Sequence, residues 1–470
     1  MININEVSYS YYKSAEKQLK NISIEINQGE AVLLCGKSGS GKTTITKLIN
    51  GLIPHFLEGN VSGNIFINGT NTKRMKIYEI SEKVGSIFQN PKTQFFNLDS
   101  DSELIFGLEN LGETADKVKN RVFKVVSDLG IERLRNRNIF MMSGGEKQLL
   151  AIASVYATNP DVYVLDEPSA NIDEYGIERI REMLINLKNQ GKTIIISEHR
   201  LYYLLDLIDR AVYLQDGKIK YNFSNLEFSS INDELRKKLG LRTFVRKKNY
   251  DFENTVEVCE SDDFVVSNLK YNRKLKILDG INISANKGDI VAITGKNGQG
   301  KTTLMRILCG LLKENEGKIN YKGSPIKYKK RRKICYMVMQ DVIHQFFSES
   351  IRDEFGLFDS QIDEKQIDKI LEKLELKKIE NHHPMCLSGG QMQRLAVALG
   401  MLVDREIIIL DEPTSGLDYL NMLEISKVIK EFSKDKIIFI VTHDKELIDN
   451  TCNKLLEIFN GKVNKFYERR

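Results

Sequence analysis

Short apolar runs recur along this chain, each only a few residues long and each closed by glycine or by acidic residues. Ala31-Val32-Leu33-Leu34-Cys35, Ile194-Ile195-Ile196, Ile290-Val291-Ala292-Ile293-Thr294 and Ile440-Val441-Thr442 are of this kind. Hydrophobicity without alternation predicts strands covered on both faces. Asn21-Ile22-Ser23-Ile24-Glu25-Ile26 and Asn282-Ile283-Ser284 instead alternate, and each leads to a glycine turn, Gln28-Gly29 or Lys287-Gly288. Those segments predict half-buried antiparallel strands. Helical spacing places Val118, Val122, Val125, Val126 and Leu129 on one face, and Ile367, Ile370, Leu371 and Leu374 on another. Apolar strands alternating with such helices predict an α/β fold, with a mainly parallel sheet between layers of helices.

The pattern occurs twice. Lys301 lies 259 residues after Lys42, whereas Ser388 and Asp411 each lie 245 residues after Ser143 and Asp166. The 14-residue difference falls between the glycine-rich loop and Ser143, where the first half is longer. This is a tandem duplication, expected as one domain over 1–225, a linker over 226–262 and a second domain over 263–470. The linker turns from basic (Arg236, Lys237, Lys238, Arg242, Arg246, Lys247, Lys248) to acidic (Asp251, Glu253, Glu257, Glu260, Asp262), which predicts a solvated connection. A second basic run, Lys327-Tyr328-Lys329-Lys330-Arg331-Arg332-Lys333, predicts a solvated edge, since nearly no aromatic residues are interleaved for stacking on RNA.

The glycine-rich loops carry the first chemistry. Gly36-Lys37-Ser38-Gly39-Ser40-Gly41-Lys42-Thr43, followed by Thr44, and Gly295-Lys296-Asn297-Gly298-Gln299-Gly300-Lys301-Thr302, followed by Thr303, both fit G-x-x-x-x-G-K-[ST]. Glycines allow backbone N–H groups to curl around phosphates, the lysine supplies a mobile charge, and the Thr hydroxyl can ligate Mg²⁺. Each loop sits between a buried strand and a helix start, which favours an anion. Two nucleotides are therefore expected. Ser143-Gly144-Gly145-Glu146 and Ser388-Gly389-Gly390-Gln391 open helices and form a second type of anion site, each 23 residues before an Asp-Glu pair.

Composition narrows the setting. At 41% hydrophobic and 28% charged residues, the chain is ordinary for a globular protein. No apolar run approaches the roughly 18 residues that span a bilayer, and no signal-peptide core opens the chain, so a cytoplasmic protein is expected. The net charge of +5 is too mild to argue for nucleic acid. Six cysteines without C-x-x-C predict reduced thiols, mostly in cores. His382 and His383 have no partner cluster and predict surface residues rather than a metal site.

The ordered set of motifs in both halves resembles the ATP-binding cassette (ABC) ATPases. The resemblance implies two tandem P-loop nucleotide-binding domains, each with a parallel sheet core, an antiparallel β subdomain and a helical subdomain, using ATP and Mg²⁺. By position it implies Mg²⁺ ligation by Thr43, Asp166 and Gln89, and by Thr302, Asp411 and Gln340. Glu167 and Glu412, each followed by proline, would act as general bases, His199 and His443 would contact the γ-phosphate, and Tyr11 and Tyr271 would stack on adenine. Tyr9 and Tyr12 compete with Tyr11. Family behaviour implies head-to-tail pairing of the halves, Lys42 sharing one ATP with Ser388 and Lys301 sharing the other with Ser143. Departures from the family pattern (Glu146, Leu149 and the Ser169-Ala170-Asn171-Ile172-Asp173 loop against Ser415-Gly416-Leu417-Asp418) bear on whether the sites turn over equally. They remove no catalytic group, so two competent sites are expected.

Gln89-Asn90-Pro91-Lys92-Thr93-Gln94-Phe95-Phe96 and Met339-Gln340-Asp341-Val342-Ile343-His344-Gln345-Phe346-Phe347 look like the corresponding region of energy-coupling factor (ECF) importer ATPases. That implies membrane partners, a transmembrane coupling protein and a substrate-capture protein importing vitamins or metal ions. Two other readings stand beside it: a soluble tandem ABC ATPase of the ribosome or translation, and a sugar-importer ATPase.

Overall fold

The computed structural model describes residues 2–12, 17–170, 172–246, 250, 252, 254–273, 276–358 and 362–469. The chain forms two compact units, Met1–Arg246 and Lys247–Arg470. In the first, a six-stranded sheet runs in the order Lys218–Ser224, Arg210–Gln215, Ala31–Gly36, Thr193–Ser197, Val162–Asp166, Val84–Ile87. All neighbours are parallel except the first pair. Ala31 is in register with Ile194, and Val162 with Thr193. The uniformly apolar run is explained by its surroundings. Ala31, Leu33 and Cys35 pack on one side of the sheet and Val32 and Leu34 on the other, all fully buried. A second, antiparallel sheet orders Leu19–Ile26, Ile2–Tyr11, Gly59–Ile67 and Thr70–Asn71. Ile22, Ile24 and Ile26 are buried while their neighbours face out, as the alternation requires.

The second unit repeats the plan. Its seven-stranded sheet orders Asn254–Thr255, Lys462–Glu468, Lys454–Phe459, Ile290–Thr294, Ile437–Val441, Ile407–Asp411, Cys335–Val338, beside an antiparallel sheet of four strands. In each unit a helical layer precedes the Asp-Glu strand. Val122, Val125, Val126 and Leu129 are buried on helix Ala115–Leu129, with Val118 half-buried, and Ile367, Ile370 and Leu371 are buried on helix Glu364–Lys373. Among the described residues no helix is long and apolar enough to cross a membrane. The cysteines are free thiols, four of them buried, and His382 and His383 are exposed.

Two expectations from charge change here. Residues 226–246 are packed onto the first unit rather than solvated. Phe228 is fully buried, with its ring centroid 6.0 Å from Phe223 and 5.0 Å from Phe244. The Tyr213 hydroxyl donates to the Leu239 carbonyl at 2.8 Å, and buried Arg236 donates to the Leu241 carbonyl at 2.6 Å. Arg246 reaches Glu174 (3.2 Å) and Glu178 (2.9 Å). The apolar residues between the charges decide the outcome, because each fully buried large side chain stabilises by about 1.5–3 kcal/mol. Lys247, Lys248, Asp251 and Glu253 of the same stretch lie outside the described residues. Beyond them, Asn254–Thr255 pairs with the last strand of the second unit. In the second basic run, Arg331 is not at a solvated edge. It is fully buried, paired with Glu314 at 2.5 Å and bonded to the Ile307 and Ile326 carbonyls. Lys327, Lys329, Lys330, Arg332 and Lys333 around it are exposed.

Candidate functional site

In the first unit the loop from Gly36 to Thr43 leaves the central strand and enters helix Lys42–Ile49. Gly36 has φ 138°, and a Cβ there would lie 2.2 Å from the Leu214 carbonyl oxygen; Gly295 repeats this at φ 141°, with 2.3 Å to Ile458. No side chain fits either place. Lys42 Nζ sits inside the loop, donating to the Gly36 and Lys37 carbonyls at 3.0 and 2.9 Å. The Thr43 hydroxyl donates to Asp166 Oδ1 at 3.2 Å. Next to Asp166, Glu167 stands at φ 48°, unusual for a non-glycine residue, with its N–H on the Ser197 carbonyl at 2.8 Å. Its carboxylate accepts from Gln89 Nε2 at 2.8 Å and lies 3.6 Å from His199 Nε2. Burial raises the pKa of Asp166; burial and then the Asp166 charge raise that of Glu167.

The second unit places the same groups with different ties. Lys301 Nζ donates to the Gly295 and Lys296 carbonyls and lies 3.3 Å from His443 Nε2. Glu412, at φ 50°, donates its N–H to Val441 at 2.8 Å. Glu412 Oε2 accepts from the Thr442 hydroxyl at 3.1 Å, and Oε1 lies 4.0 Å from His443 Nε2. Burial, then the Glu412 charge, push Asp411 up to about 7. Thr302 and Gln340 are exposed, and Gln340 lacks the carboxylate bond that Gln89 makes.

Ser143 and Ser388 cap helices Gly144–Thr158 and Gly389–Leu402 through reciprocal bonds with the residue three positions on. Glu146 Oε2 accepts from the Ser143 N–H (2.9 Å) and hydroxyl (3.0 Å), and Arg137 donates to Oε1 at 2.6 Å. Burial alone would raise the Glu146 pKa; the Ser143 N–H and Arg137 outweigh it and hold it below the usual value. At the second cap the neutral Gln391 accepts from the Ser388 N–H at 2.9 Å. Asp173 and Asp418 each cap the following helix. Asn171 lies outside the described residues. Tyr11 Oη lies 3.5 Å from Thr44 Oγ1, beside the loop, while Tyr9 is fully buried and Tyr12 is mostly exposed. Tyr271 is half-buried against the antiparallel-sheet core, in register with Leu278.

The family model described as ABC transporter matches residues 19–170 and again 278–415. The chain belongs to the ABC transporter ATPases. A Treponema denticola protein named as an ABC transporter ATP-binding protein is 45% identical over 98% of this chain and 96% of its own length. A similarly named Saccharolobus solfataricus protein is 31% identical over 98% and 93%. Among solved structures, a chain from ribosome-bound archaeal Pelota and ABCE1 has TM-score 0.71 at 22% identity, covering 99% of this chain and 79% of that one, which shows a shared fold. ABC ATPases bind ATP with Mg²⁺ and hydrolyse ATP to ADP and phosphate, and this chain carries two such domains.

The donor set fits the cation. Mg²⁺ takes oxygen ligands and keeps several waters. Thr43 beside Asp166 supplies oxygens of that kind, and the adjacent buried carboxylates are short of positive charge. Several residues beside Gln89 and Gln340, Gln94 and Gln345 among them, stand within or near the quoted motifs but had no role assigned from the sequence. Gln94 Oε1 accepts from the Phe88 N–H (3.3 Å), and Gln345 Oε1 from Met339 (2.9 Å), fixing the chain before Gln89 and Gln340. Buried Glu103 accepts from Phe96 and Asn97, and buried Glu354 from Phe347 and Ser348. Their signal was spacing: both pairs lie 5 and 14 residues after Gln89 and Gln340.

Proposed function

We propose that this chain is the ATP-hydrolysing subunit of a membrane importer of the ECF type, peripheral to the cytoplasmic face, driving a transmembrane coupling protein and a substrate-capture protein. Vitamins, cofactor precursors or metal ions are the substrate class. The observation that carries the proposal is an open cavity of about 320 Å³ in the first unit, lined by Phe88, Phe96, Phe106, Gln94 and Ile77 among others. Phe96 is 76% exposed at its edge and stacks on Phe106 with ring centroids 5.0 Å apart, a contiguous apolar surface that suits an apolar segment of a partner. The Gln89 loop connects this cavity to Glu167, so a docked partner would sense the nucleotide site.

Within that function, the loop N–H groups, Lys42 and Lys301 hold the phosphates. Thr43, Asp166 and Gln89, with Thr302, Asp411 and Gln340, hold Mg²⁺, which when bound neutralises charge building on the phosphates. Glu167 and Glu412 take the proton of the attacking water as its oxygen bonds to the γ-phosphorus, and the bridging oxygen leaves on ADP. His199 and His443 orient that water, and Tyr11 and Tyr271 stack on adenine. Ser143 and Ser388 complete the site of the opposite half when ATP is bound. Labels near Ser143 and Lys301 in a Glu167→Gln, Glu412→Gln chain should approach on adding Mg-ATP but not ADP.

The main test is co-purification from detergent-solubilised membranes with integral membrane proteins, lost in Phe96→Asp. The rival reading, a tandem ABC ATPase of the ribosome or translation, predicts sedimentation with ribosomes instead and indifference to Phe96→Asp.

A further inference from the structure

Glu198 immediately precedes His199 and is buried, yet none of the roles above uses it. Its Oε1 accepts from the backbone N–H groups of His199 (2.7 Å) and Arg200 (3.0 Å). Its Oε2 accepts from the Ser169 N–H (3.2 Å) and from the Tyr203 hydroxyl (2.9 Å). Four donors on one carboxylate compensate a charge that burial would otherwise make costly. Burial, then the Glu198 charge, hold the Tyr203 pKa well above the ordinary range, so its hydroxyl keeps the proton it donates. One side chain therefore ties the loop bearing His199 to the loop that follows Glu167.

The second unit makes the same join with other atoms. Thr442 stands where Glu198 does and turns its hydroxyl to Glu412. Asp444 stands where Arg200 does and accepts from the Thr414 hydroxyl at 2.6 Å, Thr414 being the counterpart of Ser169. The charged member follows the histidine in the second unit and precedes it in the first. Arg200 donates instead to the Ile172 carbonyl at 3.1 Å, which adds a further tie to the same loop.

We propose that Glu198 is a positioning residue of the first site, the join that keeps His199 and the Ser169 loop at a fixed spacing during hydrolysis. Its four bonds run to His199, Arg200, Ser169 and Tyr203, so it acts through the loops it ties, and the inference rests on the roles proposed above for Glu167 and His199. The exchange Ser169→Thr, Glu198→Thr, Arg200→Asp rebuilds the second unit's join in the first.

The test uses the full chain with Glu412→Gln in every variant compared, which confines turnover to the first site, and reads kcat, KM for ATP and Tm. Glu198→Ala should lower kcat at least about tenfold, since small misplacements near the chemistry are costly. KM should stay within about threefold, the signature of a loss felt mainly in the transition state. The triple exchange should recover most of the lost kcat. An unchanged kcat, or a loss that the exchange does not recover, overturns the inference and leaves Glu198 at most a buried structural acid. Glu167→Gln and His199→Ala are measured alongside. If they too leave kcat unchanged, the roles assigned to the site fail; if they lower it while Glu198→Ala does not, only the join fails.

Discussion

Gln89 donates a 2.8 Å hydrogen bond from its side-chain amide to Glu167 Oε2, whereas the matching oxygen of Glu412 is held by the Thr442 hydroxyl and the His443 N–H. The first carboxylate depends on an exposed loop beside an apolar cavity. The second depends on residues at and just beyond the end of a buried strand. The position of Glu167 can therefore follow events at the surface, while Glu412 is set by the core of its own unit. The two ABC domains share one plan and differ in what holds this carboxylate.

Glu167→Gln and Glu412→Gln should each retain ATP binding and lose hydrolysis at one site. Removal of a general base costs about 10²–10⁴-fold at the site concerned. Because the two carboxylates are tied differently, the mutants should reduce total steady-state phosphate release unequally. Phosphate release and nucleotide-binding titrations on both mutants check this; equal losses would show that the different ties do not matter to turnover.

Gly36→Ala should abolish nucleotide binding in the first unit, because the start of the loop cannot keep its place beside the neighbouring strand. The added Cβ would meet the Leu214 carbonyl oxygen at 2.2 Å, and that atom belongs to a neighbouring strand that cannot move aside. Gly39→Ala, where nothing lies within 4 Å, carries only the strain of φ 78°. Such strain is worth about 1–3 kcal/mol. Calorimetric titration with ATP analogues should rank wild type above Gly39→Ala above Gly36→Ala.

Glu146 gives a dependence on pH with a definite sign. Its folded-state pKa is held below the usual glutamate value of 4.5, burial being outweighed by the Ser143 N–H and Arg137. Its ionised form therefore adds stability that is fully present above the unfolded value and is lost as pH falls through the folded one. Glu146→Gln should lower Tm at pH 7, and the deficit should shrink as the pH is taken below the usual glutamate value. Thermal scans of both chains across that range decide it; a deficit independent of pH would assign the effect to the shape of the cap.

The residues legible from the sequence are those whose chemistry is packed into a few consecutive positions. Both glycine-rich loops, Asp166-Glu167, Asp411-Glu412 and the two serine caps have their geometry written locally, and the buried strands announce themselves by lack of alternation. Gln94 and Glu103 left a trace in the spacing repeated after Gln340, but Glu198 was not legible, because it reaches the Ser169 backbone 29 residues away and no local pattern marks a side chain by what it will later touch. Charge misled twice for one physical reason. A basic run says nothing of which face of a helix turns inward, so Arg331 vanished among its exposed neighbours although its guanidinium fills a buried pair with Glu314.

The same masking hid the packing of residues 226–246, and that packing is measurable. Phe228 is fully buried between Phe223 and Phe244, whereas Leu226, two residues earlier on the same short helix, is 82% exposed. If this segment is part of the first unit, truncating Phe228 removes core. Phe→Ala changes of that kind cost about 3–5 kcal/mol. An exposed leucine truncated beside it should cost no more than about 0.5 kcal/mol. Phe228→Ala should accordingly lower the unfolding transition of the first unit and leave that of the second in place, while Leu226→Ala moves neither. Denaturant unfolding that separates the two units reads the difference. Equal, small effects from both mutants would mean that the segment is dispensable to the unit and behaves as the solvated connection its charge alone suggests.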